Sequence, residues 1–271
     1  MKRVARRYGL LAAALLALLG CAALTKSERA STSFGERAYM LAGAGEPTIV
    51  FEAGLGDAKE SWARLHNELR NTVQVFAYDR AGYGGSPARG DARSGAQVAL
   101  ELRALLQAAG VRPPYVLVGH SLDGTFVELY ARQYPHEVAG VVLIESRHEG
   151  FSQRCKDAGA PVCEPPALLV SLMPGGASQE YQAVNATMEQ VRRAGPFPSV
   201  PLVVLTGTRK LIEGPAFNKA WLETQRELVR LSPRGRHEIC ESCGHYVHRD
   251  RPELVARAIR EVVLASAPNR H

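Results

Sequence analysis

The chain has 271 residues, of which 46% are hydrophobic, and this size fits one large α/β domain or two small ones. The formal net charge is +6, but residues 1–20 carry four basic side chains and no acidic one, so the remainder, at 6 less 4, is near +2. That balance, without a basic stripe or a recognisable nucleic-acid motif, excludes nucleic acid as an expected partner.

The first twenty residues predict an export signal. Basic residues precede an apolar run from about 10 to 19, which is too short for a comfortable membrane span. The run ends in Leu-Leu-Gly-Cys21, which resembles the lipobox of bacterial lipoproteins, where the peptide is cut before a cysteine that carries the lipid. We therefore expect a signal peptide at 1–20, a lipidated Cys21 and a tether at 21–34, with the protein exported and membrane-anchored in a bacterial cell envelope, facing the periplasm or the exterior. An uncleaved anchor helix is the alternative.

From about residue 35 the chain alternates strand and helix patterns. The predicted strands lie at 36–42, 47–54, 72–79, 113–119, 138–146, 200–207 and 236–241, and the predicted helices at 61–70, 94–110, 125–133, 216–232 and 252–265. This alternation predicts an α/β fold at 35–268, with a mostly parallel central sheet flanked by helices on both faces. The pattern lapses at 147–199, where we expect an inserted lid over the carboxyl edge of the sheet.

An unusual serine stands at the corner between the strand 113–119 and the next helix, in the stretch Gly119-His-Ser121-Leu-Asp123. A serine on such a tight turn exposes its hydroxyl above the sheet, and the following helix N-terminus favours negative charge there. Gly119 provides the small neighbour that the turn needs. Asp123 adds bulk and charge where a glycine would ease the turn, and its carboxylate could cap the helix.

Four motifs, in order, resemble those of the α/β-hydrolase family. They are FEAGLG at 51–56, YDRAGYGGS at 78–86, GHSLDG at 119–124 and SCGHYVHRDRPELV at 242–255. They resemble the oxyanion loop, the turn after the fourth strand, the nucleophile elbow and the loop that carries the histidine in this family. The resemblance spans about 35–266 and implies a serine hydrolase, most simply a carboxylic-ester hydrolase with an acyl-enzyme, a small ester-type substrate and no cofactor or metal.

The same resemblance assigns the reacting groups. A serine hydroxyl needs an adjacent base, and for Ser121 the position of His245 matches that of the family's histidine. His248 is the near alternative, but we expect it to be a surface histidine. His120 is expected to pack or to form hydrogen bonds. In the turn at 78–86, Asp79 and its neighbour Arg80 are expected to form structural pairs.

Two further roles remain to be assigned. The developing oxyanion needs backbone N–H donors, which by position come from Leu55 and Leu122. The strand 200–207 is not followed by the aspartate that many family members have, so the candidates for the triad acid are Glu145 and Glu213. We prefer Glu145, because a strand end is more rigid than a loop and a triad needs fixed geometry.

The cysteines predict disulfides. If Cys21 is lipidated, an even number remains in an exported chain, namely Cys155, Cys163, Cys240 and Cys243. Proximity favours pairing 155 with 163 and 240 with 243, although three pairings are possible. A zinc site is disfavoured, because the two cysteine pairs lie far apart and the neighbouring histidine has a role as base.

Two alternative functions remain, one that uses the same catalytic residues and one that involves no catalysis. An acyltransferase would employ the same triad, and the sequence does not separate it from a hydrolase. A non-catalytic, hydrolase-like lipoprotein that binds a ligand or partner is the alternative from a different class. Asp123 and the missing later aspartate are the features that favour it.

Overall fold

A single eight-stranded sheet forms the centre of the computed structural model, which describes residues 26–90, 93–209 and 214–267. Its strands are β1 (Ser27–Thr32), β2 (Gly35–Ala42), β3 (Thr48–Glu52), β4 (Val75–Tyr78), β5 (Tyr115–His120), β6 (Val138–Ile144), β7 (Leu202–Gly207) and β8 (Gly235–Cys240). Their order is β1-β2-β4-β3-β5-β6-β7-β8, and all pairs from β4 to β8 are parallel. The predicted α/β fold is therefore confirmed.

Helices cover both faces of this sheet. They are α1 (Ala63–Leu69), α2 (Gly95–Ala108), α3 (Gly124–Gln133), α4 (Phe151–Asp157), α5 (Ala167–Ser171), α6 (Gly175–Gln182), α7 (Val184–Arg193), α8 (Pro215–Val229), α9 (Val247–Asp250) and α10 (Pro252–Ser266). One apolar cluster joins the sheet to α1 and α10, and a second joins it to α2, α3 and α8. The sheet is therefore packed between two apolar cores, as expected for parallel strands with right-handed crossovers.

The central strand β5 is apolar throughout because it packs against both cores. Val116 and Val118 face the first core, whereas Tyr115 and Leu117 face the second. Because both faces are covered, the period-2 alternation places an apolar side chain on each side in turn. The strand therefore delivers its last residues to the carboxyl edge of the sheet in a fixed position.

The first strand corrects the predicted tether. Residues 27–32 fall within the range 21–34 assigned to a linker, yet they pair antiparallel with β2 along their whole length. The segment is polar because it is an exposed edge strand, and its composition alone does not distinguish such a strand from a linker. The predicted signal peptide at 1–20 and Cys21 lie outside the described residues. Among the residues that are described, no helix combines the length and hydropathy of a membrane span.

The predicted lid segment, 147–199, connects β6 to β7 through the four short helices α4 to α7. The disulfide between Cys155 and Cys163 ties α4 to the loop that follows it. Thr187 of α7 accepts a hydrogen bond from the backbone of Gly95, with a nitrogen–oxygen distance of 2.9 Å. The insertion is thus fastened to the main domain at several points, and its action as a lid stays a prediction.

The corner after β5 is crowded. Ser121 has a φ of 59°, in the left-handed region that most residues avoid. A Cβ at Gly124 would lie 2.0 Å from the Ser146 hydroxyl oxygen and 2.6 Å from its Cβ, and a Cβ at Gly119 would lie 2.8 Å from the Gly124 Cα. Glycine is therefore required at both 119 and 124, because a side chain at either position would overlap its neighbours.

The first prediction concerns this crowding. Gly124→Ala should lower the free energy of unfolding by about 1–3 kcal/mol, because the new methyl group overlaps the Ser146 side chain. Urea unfolding measures the loss, and Ser146→Gly in the same chain should restore most of it. Gly195→Ala is the matched control, since a Cβ there meets no atom within 4 Å. An unchanged unfolding midpoint for Gly124→Ala would contradict the crowding.

Candidate active site

Three side chains that are distant in sequence meet at the carboxyl edge of the sheet. The Ser121 Oγ lies 2.9 Å from Nε2 of His245, and Nδ1 of the same ring lies 3.2 Å from Oε2 of Glu145. The imidazole is about one third exposed, at 35%, whereas the Glu145 carboxylate is fully buried, at 0%. A neutral imidazole in this position can accept a proton from the serine while a carboxylate holds its other nitrogen.

Glu145 is fixed from two sides. It directly follows β6 and has a φ of 48°, which turns its side chain away from the direction of the strand. Its Oε1 accepts the N–H of Gly207 at 2.8 Å, and its own N–H donates to the carbonyl of Leu205 at 2.8 Å. The structure therefore brings this glutamate to His245, whereas Glu213, the alternative acid, lies outside the described residues.

The loop that carries His245 passes very close to the end of β7. A Cβ at Gly207 would lie 2.2 Å from the carbonyl oxygen of Gly244, so only glycine permits this approach. The disulfide between Cys240 and Cys243 closes the turn just before the histidine. Both predicted cysteine pairings are present, and this one lies within the segment that positions the imidazole.

The two other histidines of these motifs lie behind the site. His120 Nε2 donates a hydrogen bond to the carbonyl oxygen of His245 at 3.0 Å, as its predicted hydrogen-bonding role requires. The expectation that His248 is a surface residue is wrong, because it is only 4% exposed and its ring centroid lies 4.5 Å from that of Trp62. The short helix α9 turns this side chain inward, and burial lowers its pKa to about 3.

The two residues predicted to bind the oxyanion lie in neighbouring segments. Leu122 belongs to an apolar cluster beside the elbow, and the partly buried side chain of Leu55 packs against the same cluster. The carbonyl of Ser121 accepts the N–H of Arg147 at 2.9 Å, which fixes the peptide that follows the serine. The loop after β3 and the elbow are therefore side by side, as a shared oxyanion site would need.

Asp123 corrects the predicted helix cap. Its side chain makes no capping hydrogen bond. It is buried and lies 3.5 Å from the guanidinium of Arg80, which also bonds Glu52 at 2.7 Å and Glu180 at 2.9 Å. Desolvation raises the pKa of Asp123, although the charge of Arg80 acts in the opposite direction. The side chain therefore points inward, toward Arg80, and does not cap the helix.

This buried ionic cluster extends further than the sequence suggested. Glu180 comes from α6 in the insertion, and it also pairs with Arg93 at 3.3 Å. The Asp79 carboxylate accepts hydrogen bonds from the backbone N–H and the ammonium group of Lys59, at 2.8 and 2.7 Å, so its predicted structural role is confirmed. No sequence motif identifies Glu180, because it lies in a segment without a clear pattern. For Glu52, the sequence offers one signal, which is that a charged residue ends the apolar strand β3.

Comparison with known proteins gives relatives of the whole domain. A family model described as the alpha/beta hydrolase fold matches residues 47–168. The protein YqjL of Bacillus subtilis (strain 168) is 30% identical over 223 residues, covering 81% of this chain and 84% of YqjL. An esterase from Thermogutta terrifontis has a TM-score of 0.65 at 21% identity, covering 90% of this chain and 100% of the esterase. The enol-lactonase of Burkholderia xenovorans LB400 has a TM-score of 0.67 at 18% identity, covering 88% and 100%.

The second prediction tests the charge of Asp123. Its raised pKa means that the ionised form is disfavoured in the folded protein, so its contribution to stability is present at low pH and is lost as the pH rises through the raised value. Asp123→Asn keeps the size of the side chain and removes this dependence. We expect the melting temperature of the native protein, relative to that of the variant, to fall from about pH 4 upward.

Thermal unfolding at a series of pH values measures this difference. Asp157→Asn is the control, because Asp157 is exposed, and its difference from the native protein should vary little over the same range. A native-minus-variant difference for Asp123→Asn that rises with pH would contradict the assignment.

Proposed function

Because this chain belongs to the α/β-hydrolase fold family, we propose that it is a serine hydrolase that cleaves carboxylic esters through an acyl-enzyme intermediate. The observation that carries the proposal is the continuous hydrogen-bonded series from Glu145 through His245 to Ser121. The esterase and the lactonase among the similar structures support a substrate with an acyl–oxygen bond.

The proposed reaction has two halves. His245 Nε2 takes the proton of the Ser121 hydroxyl as the oxygen attacks the ester carbonyl, and it then gives that proton to the departing alcohol. Water attacks the acyl-enzyme in the second half, again with the imidazole as base. Glu145 keeps the proton on Nδ1 and stabilises the imidazolium, while the backbone N–H groups of Leu55 and Leu122 bind the oxyanion.

A cavity near this site supports an apolar group in the substrate. It has a volume of about 430 Å³, within the usual range for small-molecule sites. Phe151 and Phe217 line it, and Phe151 also packs edge-on against Trp221, whose ring centroid lies 6.3 Å from that of His245. Arg147 adds a polar group, which is paired with Glu164. The lining favours an ester with an aliphatic or aromatic portion.

The position of Asp123 reduces the support for a non-catalytic protein. At the sequence level this aspartate suggests an impaired elbow, since its charge would oppose an oxyanion. In the structure its carboxylate faces Arg80, and the left-handed conformation of Ser121 is retained beside it. The elbow therefore accommodates the substitution.

The third prediction tests the triad. The native protein should react with a fluorophosphonate probe and hydrolyse p-nitrophenyl esters, and Ser121→Ala should abolish the labelling. Glu145→Gln should lower kcat by on the order of 10³–10⁴, because it removes the charge that stabilises the imidazolium. Glu213→Gln is the matched control and should retain activity within a few-fold.

Esters of graded acyl-chain length, assayed with the purified part of the chain from residue 22, would define the preferred substrate. A folded native protein that neither reacts with the probe nor hydrolyses any ester would contradict the proposal. An equal loss in both glutamate variants would contradict the choice of Glu145.

We also propose that the protein is exported and held at a membrane by a lipid on Cys21, with residues 1–20 removed. The basic N-terminus, the short apolar run and the Leu-Leu-Gly-Cys ending support this location. Two disulfides in the domain support an oxidising compartment.

The fourth prediction follows from this location. In a bacterial host fed with labelled palmitate, the native protein should incorporate the label and fractionate with membranes. Cys21→Ala should abolish the label, because the thiol is the proposed acceptor, whereas Cys155→Ala should not. Label retained in Cys21→Ala would contradict the anchor.

A further inference from the structure

Three polar side chains converge behind the candidate active site. Asp57 lies in the loop after β3, His120 is the last residue of β5, and His248 lies in α9. One donor atom from each lies within 4.8 Å of the other two. They come from the three segments that hold Leu55, Ser121 and His245, so the cluster lies where the parts of the site join.

His120 has a defined tautomer. Its Nε2 lies 3.0 Å from the carbonyl oxygen of His245, and a carbonyl can only accept a hydrogen bond, so Nε2 carries the proton. Nδ1 is therefore an unprotonated nitrogen with a free lone pair. This atom is buried and has no hydrogen-bond partner. The geometry thus presents a metal-competent nitrogen, oriented by the bond that its other nitrogen makes.

The two other members present similar atoms. His248 is buried, and neither of its ring nitrogens has a hydrogen-bond partner. Asp57 has one oxygen bonded to Arg249 at 2.6 Å, while its other oxygen, Oδ2, is buried without a partner. Buried acceptors are normally satisfied, so three acceptors without a protein partner in one place form a candidate ligand set.

We propose that Asp57, His120 and His248 bind a divalent transition-metal cation, of which zinc fits best. Two neutral imidazoles and one carboxylate form a common zinc ligand set, with a water molecule in the fourth position. Bonds of about 2.0–2.2 Å require ligand atoms roughly 3.4 Å apart, so atoms that lie within 4.8 Å of one another would have to approach by up to about 1.4 Å. The positive charge of Arg249 beside Asp57 weakens this site but leaves Oδ2 free to bind.

The cation would have a structural effect on the site. It would join the loop after β3, the elbow and the histidine loop through one atom from each. The ligand nitrogen of His120 belongs to the ring that also holds the backbone of His245, so metal binding would restrict that loop. Zinc binding by these three side chains does not depend on ester hydrolysis, so it can be measured without an activity assay.

The fifth prediction is zinc binding by the native protein. After removal of metal with a chelator, calorimetric titration with zinc chloride should give one saturable site per chain, and zinc should raise the melting temperature. Asp57→Asn and His248→Gln should each weaken zinc binding at least tenfold, because each removes one ligand atom. His136→Gln, a change at an exposed histidine, should leave it unchanged.

His245→Ala separates this site from the catalytic histidine and should retain zinc binding, because the His245 ring packs against His120 but contributes no ligand atom. The variants must first be shown to be folded by circular dichroism without zinc. Absence of saturable binding to the folded native protein would overturn the proposal. Binding lost in His245→Ala but kept in both Asp57→Asn and His248→Gln would also overturn it, as would a stability effect of these two variants that does not depend on zinc.

Discussion

The contact between His245 and Ser121 depends on how closely the last loop of the domain crosses the ends of the parallel strands. Gly207 ends β7 without a side chain, and the backbone of Gly244 occupies the space where a Cβ would be. Because β5, β6 and β7 are adjacent and parallel, the residues that follow them lie along one edge. The register therefore brings the serine, the glutamate and the loop together, and everything proposed about chemistry follows from this alignment.

A second constraint lies beneath the elbow. Arg80 is buried among three carboxylates, and one of them, Glu180, belongs to the insertion. Such groups are costly to bury unless they are paired, so this arrangement is more useful for fixing positions than for adding stability. The pairs join the turn after β4, the elbow and α6, and they explain how the elbow tolerates an aspartate where a glycine is usual.

The sequence predicted most of the fold because the strands and helices alternate with clear periods and because four motifs occur in order. It also predicted which residues meet at the site, and the structure brings Ser121, His245 and Glu145 together. It failed where composition is ambiguous. β1 is polar because it lies at an edge, and His248 is buried because α9 turns inward, which no local pattern reveals. The charge partner of Asp123, Arg80, lies 43 positions before it in the chain, so only the tertiary structure identifies it.

The position of Glu145 in the chain affects which parts of the domain can change during evolution. Glu145 sits at the end of β6 and is held by the backbone of β7, so the hydrogen-bonded series takes its carboxylate from a position before β7. Gly214, in the connection that follows β7, borders the cavity. Insertions and substitutions in this connection would therefore change substrate selection during evolution and leave the residues of proton transfer intact. If the triad carboxylate were placed after β7, the same changes would also disturb the triad.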